Sequence, residues 1–368
     1  MGRLTGLRVC RFGSYDSRYS RNVIIDKCLK RAGADIVEVR DHRALAIRTP
    51  LLVGRALKER FDVILVGFRA HSDMLAASLL ARVRGVPLIF DPLVSRYEER
   101  VVDRQLVGPH SWLARWYRLS DACGCRLADT VLLETEAHIA HFARTFSMPA
   151  SRFRRVWLGA DDEIMYPRPS PAGDRPFTVF FYGRFSPLHG VEHIIRAAAI
   201  LQQRADPVRF VLVGAGQTYP MARELADRVG ADTIEFVPPV PYADLAGMMS
   251  EADLCLGSFG TTARVQRVIP NKVFDALAVR RPVLTADTPA IREALTPGEH
   301  VWVCPAGDAE ALADAIALLE RDLDLRRSLA DNGYQRFRER FSLEAIARDL
   351  AEVVSHLLQG HIAHSLPR

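Results

Sequence analysis

The chain has 368 residues, of which 49% are hydrophobic and 25% charged, and it carries a formal net charge of +5. This length favours two domains of roughly 150–200 residues each, and the composition excludes disordered, collagen-like and membrane-spanning proteins. The charge favours anionic partners, but no nucleic-acid partner is expected because the sequence has no RNP, KH or paired zinc-ligand pattern.

The sequence has the features of a reduced, cytoplasmic protein. No apolar run reaches the roughly 18 residues that a membrane-spanning helix needs, and the first residues lack the apolar core of a signal peptide. The six cysteines show no CxxC pair and no metal-ligand spacing. We therefore predict reduced and mostly buried thiols, no disulfide framework and no zinc.

In the first half of the chain, five apolar runs alternate with segments of helical period. The runs are 7–12, 35–40, 62–67, 86–91 and 129–134. Strands that alternate regularly with helices predict a parallel sheet covered on both faces. We expect one doubly wound domain over residues 1–165.

A proline-rich segment, YPRPSPAGDRP at 166–176, interrupts this alternation and predicts a linker. Six further apolar runs, from FTVFFYG to HVWVCPAG, predict a second α/β domain over 166–341. The last residues, 342–368, have helical period and must bury an apolar face, for which the first domain offers a surface. Two such domains would face each other across a cleft, with ligands at the carboxyl ends of the strands.

The turn after strand 177–182 contains Gly183 and Arg184, and His189 and Gly190 precede the next helix. Glycine lets backbone amides approach a ligand, a helix N-terminus favours anions, and arginine forks two hydrogen bonds onto phosphate. The segment predicts a diphosphate cradle. A tight strand-to-helix turn with a solvated arginine is the alternative.

Two glycines, Gly214 and Gly216, follow the next strand. They lack the third glycine and the downstream acid of a dinucleotide fingerprint. This pattern favours backbone packing beside the cleft over binding of a nicotinamide dinucleotide.

The segment 257–287 is dense in candidate ligands for an anion. Pro270 suits a first helical turn, which would bring free amides and Lys272 to one anion, with Asp275 one turn further on. Only four of the 49 basic residues are lysines, so Lys272 indicates a chemical requirement. A solvated helix residue is the alternative.

Several of these segments carry a family resemblance. GADDEIMYPRP, FFYGRFSPLHGVEHIIRAA, FVLVGAGQ, and SFG followed by IPNKVFDALAVRRPVL resemble, in this order, the C-terminal domain of glycosyltransferase family 4. Members are retaining enzymes of the GT-B fold that use nucleotide sugars. The resemblance covers roughly residues 155–305 and extends to the N-terminal half only in general layout.

The resemblance implies a GT-B fold of two facing Rossmann-like domains, with a C-terminal helical tail that packs on the first. It also implies transfer of a sugar from a nucleotide diphosphate donor to a hydroxyl acceptor, with retention, in polysaccharide or glycolipid biosynthesis. A lipid-linked acceptor belongs to the family's range. No metal or other cofactor is expected.

The resemblance also assigns roles to residues. Arg184 and His189 would grip the donor diphosphate, Gly257 takes the place of the family's first acid, and Asp275 resembles the second acid, which holds the donor ribose. Lys272 would replace part of the missing contact. The expected catalytic residues are Arg184, Lys272 and Asp91, and the expected donor-binding residues are Gly13, Ser14, Gly183, His189, Gly214, Gly216, Phe259, Gly260 and Asp275.

Five of the candidates lie in the N-terminal half. Gly13 and Ser14 follow the first strand and could approach a phosphate, although a plain βα turn explains them equally well. Asp91 ends a strand where family members contact the sugar or the acceptor, with a helix N-cap as the alternative. His71 and Glu98 are expected to bind the acceptor.

A basic aromatic segment, 110–118, includes Trp112, Arg115, Trp116 and Arg118. Tryptophan and arginine together suit an anionic membrane interface, and this segment predicts peripheral membrane contact. Covering the domain's own core is the alternative.

Two other functions stay open at this stage. A nucleotide-sugar epimerase of the same fold would need a dedicated acid and base, for which no motif is seen. A non-catalytic sugar-nucleotide-binding partner would explain the missing first acid, but Arg184, Lys272 and Asp275 argue against loss of the site.

Overall fold

The computed structural model describes residues 3–169, 175–205 and 208–365. The chain separates into two compact units: unit 1 is Met1–Leu158 with Leu343–Arg368, and unit 2 is Gly159–Ser342. The first boundary therefore lies a few residues before the predicted one at 165. Residues 170–174 of the predicted linker lie outside the described residues.

Unit 1 contains a parallel sheet with the strand order β2-β1-β3-β4-β5-β6 among the described residues. Its strands are β1 (Arg8–Gly13), β2 (Asp35–Arg40), β3 (Val63–Val66), β4 (Leu88–Phe90), β5 (Thr130–Leu133) and β6 (Phe153–Arg155). The first five are the predicted ones. The sequence analysis missed β6, which lies at the edge of the sheet and pairs with β5.

The helices of the first half are α1 (Ser20–Arg31), α2 (Leu45–Ala56), α3 (Met74–Arg84), α4 (Trp112–Leu127) and α5 (Glu136–Phe146). Right-handed crossovers between parallel strands place α2, α3 and α4 on one face of this sheet, because each links a strand to one further toward β6. The contacts of α3 with both α2 and α4 agree with this placement. Helix α1 crosses in the opposite direction and covers the other face.

Unit 2 contains a second parallel sheet, with the strand order β12-β11-β10-β7-β8-β9 among the described residues. Its strands are β7 (Phe177–Arg184), β8 (Val208–Ala215), β9 (Ile234–Val237), β10 (Leu254–Leu256), β11 (Val283–Ala286) and β12 (Trp302–Cys304). All six correspond to predicted runs. The strand order reverses between β7 and β10.

The helices of unit 2 are α6 (Val191–Gln203), α7 (Tyr219–Val229), α8 (Tyr242–Glu251), α9 (Asn271–Ala278), α10 (Pro289–Ala294), α11 (Ala309–Arg321) and α12 (Leu323–Arg340). Buried side chains of the central strands, such as Phe181 and Leu212, pack against α6 and α11 to form the core. Pro270 is the N-cap of α9 rather than its first helical residue.

The last helix, α13 (Leu343–Ser365), belongs to unit 1 and packs against α1. The Cys28 thiol on α1 lies 3.4 Å from the Leu343 carbonyl. The predicted return of the C-terminal tail to the first domain is confirmed, and the chain has the two-domain α/β GT-B fold. Among the described residues, no helix combines the length and the apolarity that a bilayer-spanning segment needs.

Candidate active site

The predicted donor residues of unit 2 gather where the order of its strands reverses. Strand β7 ends in Gly183 and Arg184, and β10 is followed by the loop 257–260. The two strands are hydrogen-bonded neighbours whose connections leave in opposite directions. In open α/β sheets, ligands bind outside the carboxyl ends of the strands at such a point.

Backbone contact joins the loop 257–260 to the turn 187–190. A β-carbon at Gly190, where φ is +62°, would lie 2.4 Å from the Gly260 nitrogen, and one at Gly260 would lie 2.2 Å from the Pro187 carbonyl oxygen. The Phe259 amide donates to the His189 carbonyl at 3.0 Å. The Phe259 ring is buried in the core, and the amides of Gly257 and Ser258 also donate within unit 2, so a donor-binding role for Phe259 and Gly260 stays a prediction.

The glycines after β8 make a second close backbone approach. A β-carbon at Gly214 would lie 2.0 Å from the Gly183 carbonyl oxygen, and one at Gly216 would lie 2.5 Å from that of Phe185. Larger residues would push the end of β8 away from the end of β7. This geometry supports the packing role that the sequence favours, and it places both glycines beside the candidate site.

Lys272 is a buried cation at the end of β7. Its side chain is 4% exposed, and its ammonium lies 4.5 Å from the centre of the Phe181 ring. The ammonium has no hydrogen-bond partner among the described residues. Burial lowers the pKa of Lys272 to about 7. A desolvated cation of this kind favours a bound anion.

A second basic group, His189, also lies close to Gly183. A β-carbon at Gly183 would lie 3.1 Å from the Lys272 ammonium and 3.5 Å from Cε1 of His189. The Arg184 carbonyl accepts a hydrogen bond from Nδ1 of His189, which fixes a proton on that nitrogen. The Arg184 side chain is exposed. The structure therefore brings together Gly183, Arg184, His189 and Lys272.

Asp275 lies one turn beyond Lys272 on α9 and is also buried. The Tyr182 hydroxyl donates to one carboxylate oxygen, and the Tyr242 hydroxyl donates to the other at 2.7 Å. Burial raises the pKa of Asp275 to about 7, against these two hydrogen bonds and the Lys272 charge, which lower it. A ribose hydroxyl would have to share these oxygens with the tyrosines.

The two tyrosines and Phe181 were not selected from the sequence. Tyr182 directly precedes the glycine of the cradle, so a polar ring at the end of an apolar strand was an available signal. Tyr242 begins α8, far along the chain from Asp275, and no local pattern relates the two. Nothing in the sequence distinguishes Phe181 from an ordinary core residue.

The missing first acid has a steric cause. A β-carbon at Gly257 would lie 2.2 Å from the Thr285 hydroxyl oxygen and 2.4 Å from its β-carbon. The Ser258 amide also donates to that hydroxyl at 3.2 Å. No side chain fits at Gly257 while Thr285 stays in place, so an acid could not be restored there by a single substitution.

The substitution Gly257→Ala is expected to lower the free energy of unfolding by about 2 kcal/mol, because the added methyl group must displace Thr285 on β11. Thermal or urea unfolding measures this change. Gly247→Ala is the matched control, since its β-carbon would meet its nearest neighbour, Arg168, at 3.5 Å within a helix. An unchanged midpoint for Gly257→Ala would show that the clash is relieved without cost.

In unit 1, Asp91 is held by an arginine. Both residues are fully buried, with Arg21 Nε at 2.9 Å from one oxygen and Nη2 at 3.3 Å from the other. Arg21 also donates to the Val156 and Trp157 carbonyls. This geometry supports a structural role in place of the alternative N-cap, and a catalytic role for Asp91 stays a prediction.

In the turn after β1, Ser14 already binds a carboxylate of the same unit, that of Asp73. Both the amide and the hydroxyl of Ser14 donate to Oδ2 of Asp73, at 2.8 and 2.7 Å. Arg48 donates to the other oxygen at 2.8 Å. A β-carbon at Gly13 would lie 2.9 Å from Ala70. A phosphate at Ser14 would have to displace Asp73, so the geometry supports the βα-turn alternative.

The predicted acceptor residues are both buried in unit 1. His71 lies 3.2 Å from the Val94 carbonyl, and burial lowers its pKa to about 3, so the ring is neutral. Glu98 lies 2.5 Å from Nε2 of His141. Neither side chain presents an open surface, and their acceptor role stays a prediction. No cluster of three or more His, Cys, Asp or Glu within the described ranges could hold a metal ion.

Comparison with known proteins adds to this geometry. Residues 164–336 match the glycosyl transferases group 1. The alpha-D-kanosaminyltransferase of Streptomyces kanamyceticus is 27% identical over 77% of this chain and 75% of its own length. The chain spans about half to three fifths of the length of several further curated relatives, D-inositol 3-phosphate glycosyltransferases among them.

Solved structures share the fold over 95–96% of the chain. The sucrose-phosphate synthase of Thermosynechococcus elongatus gives a TM-score of 0.75 at 17% identity, over 96% of this chain and 99% of that one. Alr3699/HepE of Anabaena, solved with UDP-glucose, gives a TM-score of 0.72 at 16% identity, over 95% and 100%. These similarities concern the fold alone.

Proposed function

Because residues 164–336 match the glycosyl transferases group 1, we propose that the chain moves a sugar from a nucleotide diphosphate donor to a hydroxyl acceptor, with retention at the anomeric carbon. Unit 2 binds the donor. The observation that carries this proposal is the buried Lys272 ammonium, which has no hydrogen-bond partner among the described residues and lies against Gly183 at the strand reversal.

The diphosphate of the donor binds around Gly183. Lys272 and His189 converge on this glycine, and Arg184 extends from the same turn with a guanidinium that can bind two phosphate oxygens. Negative charge grows on the departing phosphate as the sugar leaves. Positive groups that are already in place stabilise this charge more than water does, because they need no reorganisation.

The reaction breaks the bond between the anomeric carbon and the donor phosphate and forms a bond from the acceptor oxygen on the same face of the sugar. The departing phosphate oxygen takes the proton of the acceptor hydroxyl. In this reaction the protein must place positive charge beside the phosphate and hold the phosphate in a fixed orientation. Lys272, Arg184 and His189 have the chemistry to supply both.

Asp275 lies beside the donor ribose in this proposal. Tyr182 and Tyr242 orient its carboxylate, so a ribose hydroxyl can donate to an oxygen whose direction is already set. Asp275→Asn keeps the size of the side chain but removes one acceptor oxygen. This variant is expected to weaken donor binding more than it slows transfer from bound donor.

A thermal-shift panel of UDP, GDP, CDP and TDP sugars tests the proposal, followed by NMR detection of the sugar released from the donor that stabilises the protein. We expect one base to be preferred, with slow hydrolysis of its sugar; UDP-glucose is the first probe because Alr3699/HepE was solved with it. No stabilisation by any donor would contradict the site assignment. Formation of an epimeric nucleotide sugar would instead identify an epimerase.

Donor affinity is expected to fall as pH rises above 7. The pKa of Lys272 is about 7 in the free protein because burial disfavours its ammonium, and a bound diphosphate restores the proton. Affinity then falls by up to about tenfold per pH unit above 7 and changes little below it. Deprotonation of Asp275 adds negative charge near the site and acts in the same direction.

Calorimetric titration with the selected nucleotide sugar at pH 6.5 and 8.5 measures this dependence. Two buffers of different ionisation enthalpy report the proton that the complex takes up at pH 8.5. Equal affinity at both pH values in the wild-type protein would contradict a role for Lys272 in binding the diphosphate.

A further inference from the structure

Three neighbouring helices of unit 1 expose apolar side chains at helical spacing. Helix α3 presents Leu75, Leu79 and Val83, the last 76% exposed, and α4 presents Trp112, 77% exposed, and Trp116. A groove of about 340 Å³ runs between α2 and α3, lined largely by leucine and valine. We call the outer surface of α2, α3 and α4 the basic apolar face.

The charges on these helices are almost all positive. Together α2, α3 and α4 contain seven arginines, and their one acidic residue, Asp121, is buried. Arg82, Arg115 and Arg118 are exposed beside the apolar stripes. An exposed apolar surface that carries cations without exposed acids matches the chemistry of an anionic lipid surface.

A second copy of the chain fits this face less well. In a two-fold interface the same patch meets itself, so arginines would face arginines with no exposed carboxylate of these helices to pair with them. An anionic bilayer supplies a negative charge for every arginine and an apolar layer for the leucines. The two tryptophans suit the boundary between head groups and acyl chains.

From this geometry we infer that the basic apolar face docks unit 1 on an anionic membrane surface. The face extends the contact predicted for segment 110–118 to α2 and α3, which the sequence analysis did not select. Docking goes beyond the proposed glycosyl transfer and does not depend on it, because the face lies in unit 1 whereas the proposed donor site lies in unit 2.

Vesicle flotation of the full chain tests docking. The probes are vesicles of phosphatidylcholine alone and of phosphatidylcholine with 30% phosphatidylglycerol. We expect the bound-to-free ratio on anionic vesicles to exceed that on neutral ones by about tenfold or more, and to fall in 0.5 M NaCl. Absence of binding to anionic vesicles at low salt would overturn the inference.

Paired variants separate the face from the rest of the surface. Leu75→Ser with Leu79→Ser removes two exposed leucines, and Arg82→Gln with Arg115→Gln removes two exposed charges. Each pair is expected to lower vesicle binding by about tenfold. The control, Met221→Ser, changes an exposed apolar side chain in unit 2 and should bind vesicles as the wild-type protein does.

Two further measurements keep the outcomes distinct. Light scattering that shows a dimer in the wild-type protein and a monomer in the leucine variant would overturn membrane docking in favour of a second copy. Unchanged thermal midpoints and nucleotide-sugar binding in the variants would show that folding and the donor site are intact. Loss of vesicle binding would then support docking, whether or not sugar transfer is observed. Equal vesicle binding by wild type and both variants would overturn it.

Discussion

Replacing Lys272 with methionine is expected to stabilise the free protein while abolishing donor binding. Methionine fills a similar volume against Phe181 and adapts its shape to the space. The substitution removes a buried ammonium that has no hydrogen-bond partner among the described residues. Removing a cation that should contact the departing phosphate is expected to lower kcat/KM by about 100- to 1,000-fold.

The stability gain should depend on pH in a defined direction. The pKa of Lys272 is about 7 in the folded protein, below its ordinary value of 10.5. The unfolded chain therefore binds more protons between these values, and the cost of burying the ammonium is complete below pH 7 and disappears toward pH 10.5. We expect Lys272→Met to gain about 2–4 kcal/mol at pH 6.5 and progressively less at higher pH.

Unfolding in urea at pH 6.5 and 9 measures this gain, and the nucleotide-sugar thermal shift measures binding. Lys58→Met is the matched control, because it removes an exposed lysine from unit 1 and should change neither quantity by much. A Lys272→Met protein that is less stable than the wild type at pH 6.5 would show that the ammonium is paired in the folded state. Retained donor binding would remove Lys272 from the site.

The strands were predictable because buried parallel strands are continuous apolar runs, and eleven of the twelve described strands follow such runs. Strand β6 was missed because Phe153–Arg155 has one apolar residue and two arginines, one of them, Arg154, exposed. An edge strand pairs on one side and needs no apolar run, so its pattern is too short to stand out.

The unit 2 site was predictable because its residues lie next to strand ends. Gly183, Arg184 and His189 occupy one turn, and chain order alone places them at the edge of the sheet. The hydrogen bonds from Tyr182 and Tyr242 to Asp275 link three separate elements, and such contacts leave no local signal. The same holds for Gly257, whose lack of a side chain is explained by Thr285 on a neighbouring strand.

The candidates in unit 1 show what could not be predicted from the sequence. Asp91 occupies the position at the end of a strand that a ligand-binding carboxylate would have, and the sequence cannot reveal that Arg21, on α1, reaches it. Ser14 and Asp73 are related in the same way. A buried carboxylate that is already paired within the protein can lie at the end of a strand, where a catalytic residue is expected. It then has no oxygen exposed to a ligand.

Substitution of Asp91 by alanine is expected to destabilise the protein by about 3–5 kcal/mol. Arg21 is fully buried and would keep its charge with only the Val156 and Trp157 carbonyls as acceptors. Breaking one side of a buried ion pair is costly because the remaining charge stays out of water. The thermal midpoint should fall by about 10 °C.

The control for this prediction is Asp331→Asn, which breaks an ion pair with Arg280 whose two side chains are both about half exposed. Water screens such a pair, so its loss should change the free energy of unfolding by less than about 1 kcal/mol. A similar effect of both substitutions would contradict the buried character of the Arg21 pair.

Activity decides between the structural and the catalytic role of Asp91. Asp91→Asn keeps the shape of the side chain and one acceptor oxygen for Arg21, so enough folded protein should remain for assay well below its midpoint. If Asp91 acts only through Arg21, kcat of this folded fraction stays within about threefold of the wild type, because general acid or base groups contribute about 100-fold or more when they are lost. A normal thermal midpoint with a 100-fold lower kcat would instead make Asp91 a catalytic residue. The ion pair with Arg21 would then describe the free protein, and Asp91 would change partners when substrate binds.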